Sequence, residues 1–243
     1  FIYFATQYGV NRYDGYTFKL YVHEPGNSES PAGTYVNSLF KAKDGSIWIS
    51  WSRGLDRLDP RTGKFTHYFN KESGPQSSIS IVDITQDRKG MLWLATGSGL
   101  IGFDPASNKI LKYRRTGQGD GLPSDEVSWA GEDSKGRFWV GTSKGLAEFD
   151  RASGTVSRVV PVPDPYQVRL FEDRFGKFWI SKATGFGLTL FDPDRNTLTP
   201  YSFYEEEPDG NGITGISRIA QDDEGNLWFG SPLYGLIRLD SDR

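Results

Sequence analysis

Aromatic and cationic residues recur in this chain where the surrounding pattern does not call for them. Tyr8, Trp51, Arg53, Lys144, Lys182, Phe186 and Tyr234 each stand three to seven residues after a Trp or Tyr that repeats along the chain. Trp129, Arg169 and Arg218 stand ten residues before such a tryptophan, at the position that holds Ser38 and Asp83 in other copies. Tyr35 and Tyr166 stand thirteen residues before theirs. An aromatic ring stacks on the apolar face of a sugar, and guanidinium or ammonium groups donate to hydroxyls and carboxylates. The chemistry expected of this set is recognition of a carbohydrate, an acidic sugar or another small polar molecule. Trp51 and Arg53 carry that expectation furthest, because other copies manage with Thr96 and Ser98 or Thr142 and Lys144. The plainer reading is a set of ordinary rim residues with solvated cations.

Other chemistries find little support. There is no cysteine, so disulfides and thiolate catalysis are excluded. The two histidines, His23 and His67, fall in or just after outer-strand segments, away from where a general base would be wanted. Glu205 to Gly212 is an acidic loop that could hold Ca²⁺, but it lacks alternating oxygen-ligand spacing and reads more simply as solvated. No Gly-rich cradle follows a strand and opens a helix, so nucleotide binding has no basis. A net charge of −3 gives no electrostatic footprint for nucleic acid or anionic lipid. No apolar run approaches the roughly 20 residues of a membrane helix. Phe1 to Ala5 is too short for a signal peptide and reads as a strand in progress. No cofactor is expected.

The elements that position these residues come from one repeated unit. Its skeleton, D-x-x-G-x-φ-W-φ followed by G-L-x-x-[FL]-D with φ apolar, is clearest from Asp87 to Asp104. Trp48, Trp93, Trp139, Trp179 and Trp228 mark its copies, and Tyr3 takes that place in an incomplete first one. The steps between them are 45, 45, 46, 40 and 49 residues, a period that means a repeat architecture. Each copy carries four short segments rich in β-branched and aromatic residues, here a to d, with the tryptophan on b. No 3.6-residue apolar period is sustained, so no helix is expected. Aromatic content of 14 % is enough for a large core.

The turns follow from their residues. In the a–b link, such as Asp133 to Gly136, Asp accepts backbone N–H groups and Gly accepts a positive φ. The copy around Trp48 departs, with Ala42 at the Asp position and Asp44 two places later. Four residues after the Asp that ends segment c stand Gly63, Asn108, Gly154 and Asn196, which predicts a left-handed residue there. Asp14-Gly15 in the first copy predicts a two-residue type I′ turn.

Segments b and c are apolar on both faces, as in Met91 to Ala95, so their sheets must be covered on both sides. Radial repetition of four-stranded antiparallel blades, a β-propeller, satisfies this. A β-helix has a shorter period and an immunoglobulin-like array a longer unit. The residue two places after each tryptophan is Ser50, Ala95, Gly141, Ser181 or Gly230, all small, which suits close backbone approach. The first copy has b, c and d, four copies are complete, and the last has a, b and c. Residues 1–243 are therefore read as one propeller domain or fragment of about six blades, either a ring of six lacking two strands or, the favoured reading, part of a larger, seven-bladed ring. Segment a is expected to line a central channel, with the b–c loops at one mouth.

Gly121 to Val127 and Glu132 to Leu146, Gly-Leu-Pro-Ser-Asp-Glu-Val and Glu-Asp-Ser-Lys-Gly-Arg-Phe-Trp-Val-Gly-Thr-Ser-Lys-Gly-Leu, closely resemble the two-component regulator propeller repeat. The other copies follow the same pattern, with departures at Trp51, Lys182 to Phe186 and Ser231-Pro232. The resemblance implies the extracytoplasmic, periplasmic sensor of a bacterial hybrid histidine kinase or related signalling protein, without enzymatic activity of its own. It also implies an oligosaccharide or other small ligand, adjoining domains of the same polypeptide as partners, and a homodimer of the full-length sensor. Two alternatives stay open: a protein-interaction propeller, and a propeller enzyme like streptogramin B lyase, which shares related repeats but wants a histidine base.

Overall fold

A computed structural model describes residues 1–69, 79–116, 119–162, 169–181, 188–201, 216, 218–231 and 234–241. The described residues contain twenty-two β-strands and no helix, so the fold is all-β, of the β-propeller kind. Every sheet is an antiparallel meander in chain order. Two compact units are formed, Phe1–Tyr113 and Arg114–Arg243.

The first unit holds three sheets. One is β1 (Ile2–Thr6), β2 (Gly9–Tyr13) and β3 (Phe18–Tyr21). The next is β4 (Val36–Lys41), β5 (Ile47–Trp51), β6 (Leu55–Leu58) and β7 (Phe65–Tyr68). The third is β8 (Ile81–Gln86), β9 (Leu92–Thr96), β10 (Gly99–Asp104) and β11 (Lys109–Tyr113). The second unit repeats the plan. Its sheets are β12 (Val127–Glu132) to β15 (Thr155–Val160) through β13 (Phe138–Thr142) and β14 (Gly145–Asp150), then β16 (Arg169–Glu172), β17 (Phe178–Ser181), β18 (Leu188–Asp192) and β19 (Thr197–Tyr201). Last come β20 (Arg218–Gln221), β21 (Leu227–Ser231) and β22 (Gly235–Leu239).

Trp48, Trp139 and Trp179, on the second strands of their sheets, face the next sheet of their own unit. In the first unit Trp48 packs with Leu92, Leu94 and Phe103. In the second, Trp139 meets Phe178 and Phe191 edge-on at 5.7 and 5.5 Å, and Trp179 meets Phe229 at 5.9 Å. This explains the doubly apolar strands: one face carries the tryptophan outward, and the other receives the neighbour's. The face of β1–β3 that carries Ile2, Phe4, Phe18 and Leu20 receives none, and these side chains are exposed.

The Asp of each D-x-x-G turn does two things. One carboxylate oxygen of Asp133 accepts the N–H groups of Lys135 and Arg137, and the other accepts the Trp139 indole N–H at 3.0 Å. Asp87, Asp173 and Asp222 hold Trp93, Trp179 and Trp228 in the same way, at 3.0, 2.9 and 2.7 Å. The indole donor is thus buried with a partner, as a buried polar group requires. At Ala42 the backbone turn still closes, and Asp44 accepts from Ser46 instead.

The same turn also ties sheets together. Lys43 N–H donates to Gln86 Oε1 at 2.9 Å, Ser134 N–H to Glu172, and Arg174 N–H to Gln221 Oε1 at 3.0 Å. In each case the acceptor stands seven residues before the next tryptophan.

The left-handed residues of the c–d links are as expected, with φ of 74° at Gly63, 56° at Asn108, 77° at Gly154 and 53° at Asn196. The first-copy turn is different. Asp14 N–H bonds Thr17 O at 3.3 Å, so the central pair is Gly15-Tyr16, and only Gly15 has a positive φ. Positive φ at the first position alone is the II′ pattern, not I′. The turn has slipped one residue because the Asp14 carboxylate caps the Tyr16 and Thr17 N–H groups, which fixes Asp14 outside the turn's centre. Gly9 and Gly145 open β2 and β14 at φ of 127° and 119°, and a Cβ there would lie 2.2 Å from Tyr21 O and 2.5 Å from Val160 O. No other residue fits that approach.

Candidate functional site: a pocket on the first strands of the second unit

The first strand of each four-stranded or final sheet touches the first strand of the next within its unit. Three of these strands carry a β-bulge at one shared place, between Val36 and Ser38, Ile81 and Asp83, and Val127 and Trp129. A bulge adds one residue and re-aims the side chain that follows it. Ser38, Asp83 and Trp129, each ten residues before a tryptophan, are therefore set apart by backbone geometry as well as by residue type.

In the first unit this geometry brings Ser38 and Asp83 together, both buried, with Ser38 Oγ donating to Asp83 Oδ1 at 3.1 Å. Asn37, the extra residue of its bulge, donates to Trp51 O and Ile81 O. That arrangement is closed and structural.

In the second unit the corresponding residues, Trp129, Arg169 and Arg218, line one pocket. Its empty volume is roughly 310 Å³, part of it open to solvent. Leu170, Phe171 and Ile219 complete its apolar wall, and Ser181 adds a hydroxyl. Arg169 lies directly opposite Ser181 in the β16–β17 register, so both project from one face. Ser181 is fully buried, and among the described residues its Oγ has no hydrogen-bond partner. Ser50 holds the equivalent place in the first unit and is likewise unpaired, but it stands opposite Ser38, whose hydroxyl is committed to Asp83.

The Trp129 indole takes its direction from Gly131. A Cβ on Gly131 would lie 2.6 Å from the indole, so the ring rests on the space that glycine leaves two residues along the strand. Other copies have Phe40, Thr85, Phe171 or Ala220 at that position. Trp129 is half-buried, packed on the core that contains Trp139 and Leu146. The pocket can thus offer an aromatic surface, two guanidiniums and a buried hydroxyl.

The other sequence-predicted residues are not gathered there. Tyr8, Tyr35, Arg53, Lys144 and Tyr234 are exposed on their loops, with Tyr8 77 % accessible. Tyr166, Lys182, Phe186 and the 205–212 loop lie outside the described residues.

Trp51 is a correction. It is 1 % exposed, its indole N–H donates to the buried Asp56 Oδ2 at 2.8 Å, and Gly33 packs on its ring. It breaks the repeat pattern because it fills core space in its own sheet, not because it meets a ligand. Asp56 also accepts the Ala32 N–H and faces His67 Nδ1 at 2.7 Å. Ser181, Leu170, Phe171 and Ile219 were missed. Ser181 stood in view as a small residue; its hydroxyl mattered only once Arg169 faced it.

Among the described residues no group of His, Asp and Glu is placed to hold a metal ion, and no helix is long and apolar enough to cross a membrane.

The two-component regulator propeller model matches residues 121–144 and 209–232, within two of the repeats of this chain. No curated protein sequence matches it. Among solved structures, the chain is similar to the extracellular domain of a candidate hybrid two component system from B. thetaiotaomicron. The match has 25 % identity and a TM-score of 0.76, over 96 % of this chain and 31 % of that one. A second such extracellular domain from B. thetaiotaomicron matches at 16 % identity and a TM-score of 0.68, over 98 % of this chain and 40 % of that one. Virginiamycin B lyase from Staphylococcus aureus matches at 16 % and 0.69, over 97 % and 75 %, a likeness of fold. The chain thus spans about a third of the first of these structures and two-fifths of the second.

Proposed function

We propose that this chain, built of two-component regulator propeller repeats, is the ligand-sensing part of a hybrid two-component signalling protein. Its place is outside the cytoplasm, in the periplasm, and its ligand is a small polar molecule, a carbohydrate first of all. The observation that carries this is the pocket of Trp129, Arg169, Arg218 and Ser181, where a half-buried indole lies beside convergent donors. The extracellular placement is supported by the 25 % identical domain, over nearly the whole of this chain. Output belongs to adjoining domains of the same polypeptide. The test is a glycan array followed by calorimetry on this chain, with Trp129→Ala as the control. Saccharide binding that the substitution abolishes supports the reading, and the absence of any binding removes it.

A non-enzymatic role is supported by the fate of both histidines. His67 is engaged with Asp56 and the Ser28 carbonyl, and His23 with the Pro31 carbonyl. The ring we take to be larger, with a seventh blade. Ile2 and Phe4 are exposed where their counterparts Ile47, Ile49, Leu92 and Leu94 are buried. That same apolar face is the observation favouring the second reading, a protein-interaction propeller.

A further inference from the structure

We infer that His67 is a proton-operated clamp on the connection between β3 and β4. It holds residues 24–30 docked while the His67–Asp56 pair carries two protons, and it lets them go when one is lost. The clamp lies within the first unit and does not depend on the Trp129 pocket.

Strand pairing sets the ring in place. His67 stands opposite Asp56 across β6 and β7, with its side chain 18 % exposed and that of Asp56 fully buried. Its Nδ1 lies 2.7 Å from Asp56 Oδ1, and its Nε2 lies 2.9 Å from the Ser28 carbonyl oxygen. The carbonyl oxygen can only accept. The other oxygen of Asp56 already accepts from the Trp51 indole and the Ala32 N–H, both at 2.8 Å. A neutral imidazole has one N–H and cannot donate to a carboxylate and a carbonyl at once. The two contacts therefore need two protons, wherever the one between Asp56 and Nδ1 rests.

With one proton fewer, the Ser28 contact is the one given up. Losing the Nδ1 contact would strand a carboxylate in the interior. The Ser28 contact lies at the surface, where water can replace it. A neutral ring that keeps its Nδ1–H also turns the Nε2 lone pair on the Ser28 oxygen, which repels the loop.

The loop so held is compact. Ser30 Oγ accepts the Glu24 N–H at 2.9 Å, and the Ser30 N–H donates to Asn27 O at 3.1 Å. After it, Ala32 is pinned to Asp56 and Gly33 packs on Trp51. Before it, His23 Nδ1 donates to Pro31 O at 2.7 Å, a contact that a neutral ring satisfies with its single proton. His67 thus ties the tip of the loop to the sheet through a group that titrates.

The elements around it bring several charges. Asp56 comes from β6, and Glu24 and Glu29 from the loop itself, where the Glu24 carboxylate accepts from Asn27 at 2.7 Å. The β3 ammonium of Lys19 lies over the Tyr21 ring at 5.0 Å. Asp56, in direct contact, favours the charged ring. The docked state binds more protons than the released one. Docking is therefore complete below about pH 6.5, the ordinary histidine value, and is lost as pH rises through the higher midpoint of the pair.

The experiment is an NMR titration of the 243-residue chain, following the ring nitrogens of its two histidines and the backbone amides of residues 24–33. The expected result is a His67 midpoint above about 6.5, with the amides of residues 24–30 moving at that same midpoint and those of Ala32 and Gly33 moving far less. His67→Gln should abolish the loop transition, and His23→Gln should leave it in place. A His67 midpoint at or below that value overturns the clamp. So do loop amides that stay still while the ring titrates, or a loop transition that survives His67→Gln or disappears in His23→Gln. Should His67→Gln fail to fold, the match or mismatch of ring and loop midpoints in the unaltered chain decides alone.

Discussion

The Trp139 indole N–H donates to Asp133 Oδ2 at 3.0 Å, six residues upstream, with both side chains buried. One carboxylate thereby closes a turn and anchors the ring that packs on the next sheet. Trp139→Ala is expected to cost about 3–5 kcal/mol, as for a large buried aromatic. Asp133→Ala should cost about 2–4 kcal/mol, because it strands a buried indole donor and two turn N–H groups. Denaturant melts of both variants check this. An Asp133→Ala loss below about 1 kcal/mol would show that the indole finds another acceptor.

Trp51 should behave as a core residue. Trp51→Ala is expected to destabilise the chain by about 3–5 kcal/mol. Asp56→Ala should be comparably severe, since Asp56 is wholly buried and serves Trp51, Ala32 and His67. A Trp51→Ala protein that melts normally but loses ligand would restore Trp51 to the binding set.

Phe4 and Leu94 hold the same place in their repeats, one residue after the Tyr or Trp, yet one is 43 % exposed and the other fully buried. Leu94→Ala should cost about 2–5 kcal/mol. Phe4→Ala should stay within about 0.5 kcal/mol, the range for surface changes. Equal losses would mean that the β1–β3 face is covered in solution.

Asn108 and Asn196 sit at φ of 56° and 53°. Asn108→Ala is expected to cost about 1 kcal/mol from left-handed strain, while Asn108→Gly should be close to neutral. Melting both variants side by side separates backbone strain from loss of the side chain.

The Asp192 carboxyl is pulled down to about 2, first by the Lys177 ammonium and then by the N–H groups of Arg195 and Asp194. An unfolded Asp titrates near 3.9. The folded state therefore binds this proton less readily, and its stabilising contribution is complete above about pH 4 and lost as pH falls towards 2. Lys177→Met should move the Asp192 titration up towards the ordinary range. Carboxyl-carbon NMR titration reads this directly, and an unmoved midpoint would assign the shift to the backbone donors alone.

The amino-acid sequence by itself determined the repeat, the strand order within each sheet, the absence of helix among the described residues and the left-handed turn residues. These follow from local causes: a period of alternating apolar segments, and Gly or Asn where φ must be positive. It also singled out Trp129, Arg169 and Arg218, because they differ at one shared position. What only the tertiary structure decided depends on groups far apart along the chain. Asp133 is a ligand of Trp139's ring as well as a turn former, which a turn pattern does not reveal. Trp51 looked like a ligand platform because it broke the repeat, but burial is set by neighbours such as Gly33 and Asp56, not by pattern. Ser181 read as merely small until strand pairing placed its hydroxyl opposite Arg169. The exposure of Phe4 against the burial of Leu94 was undecidable from their residues, since each position is apolar and only a neighbouring sheet distinguishes them.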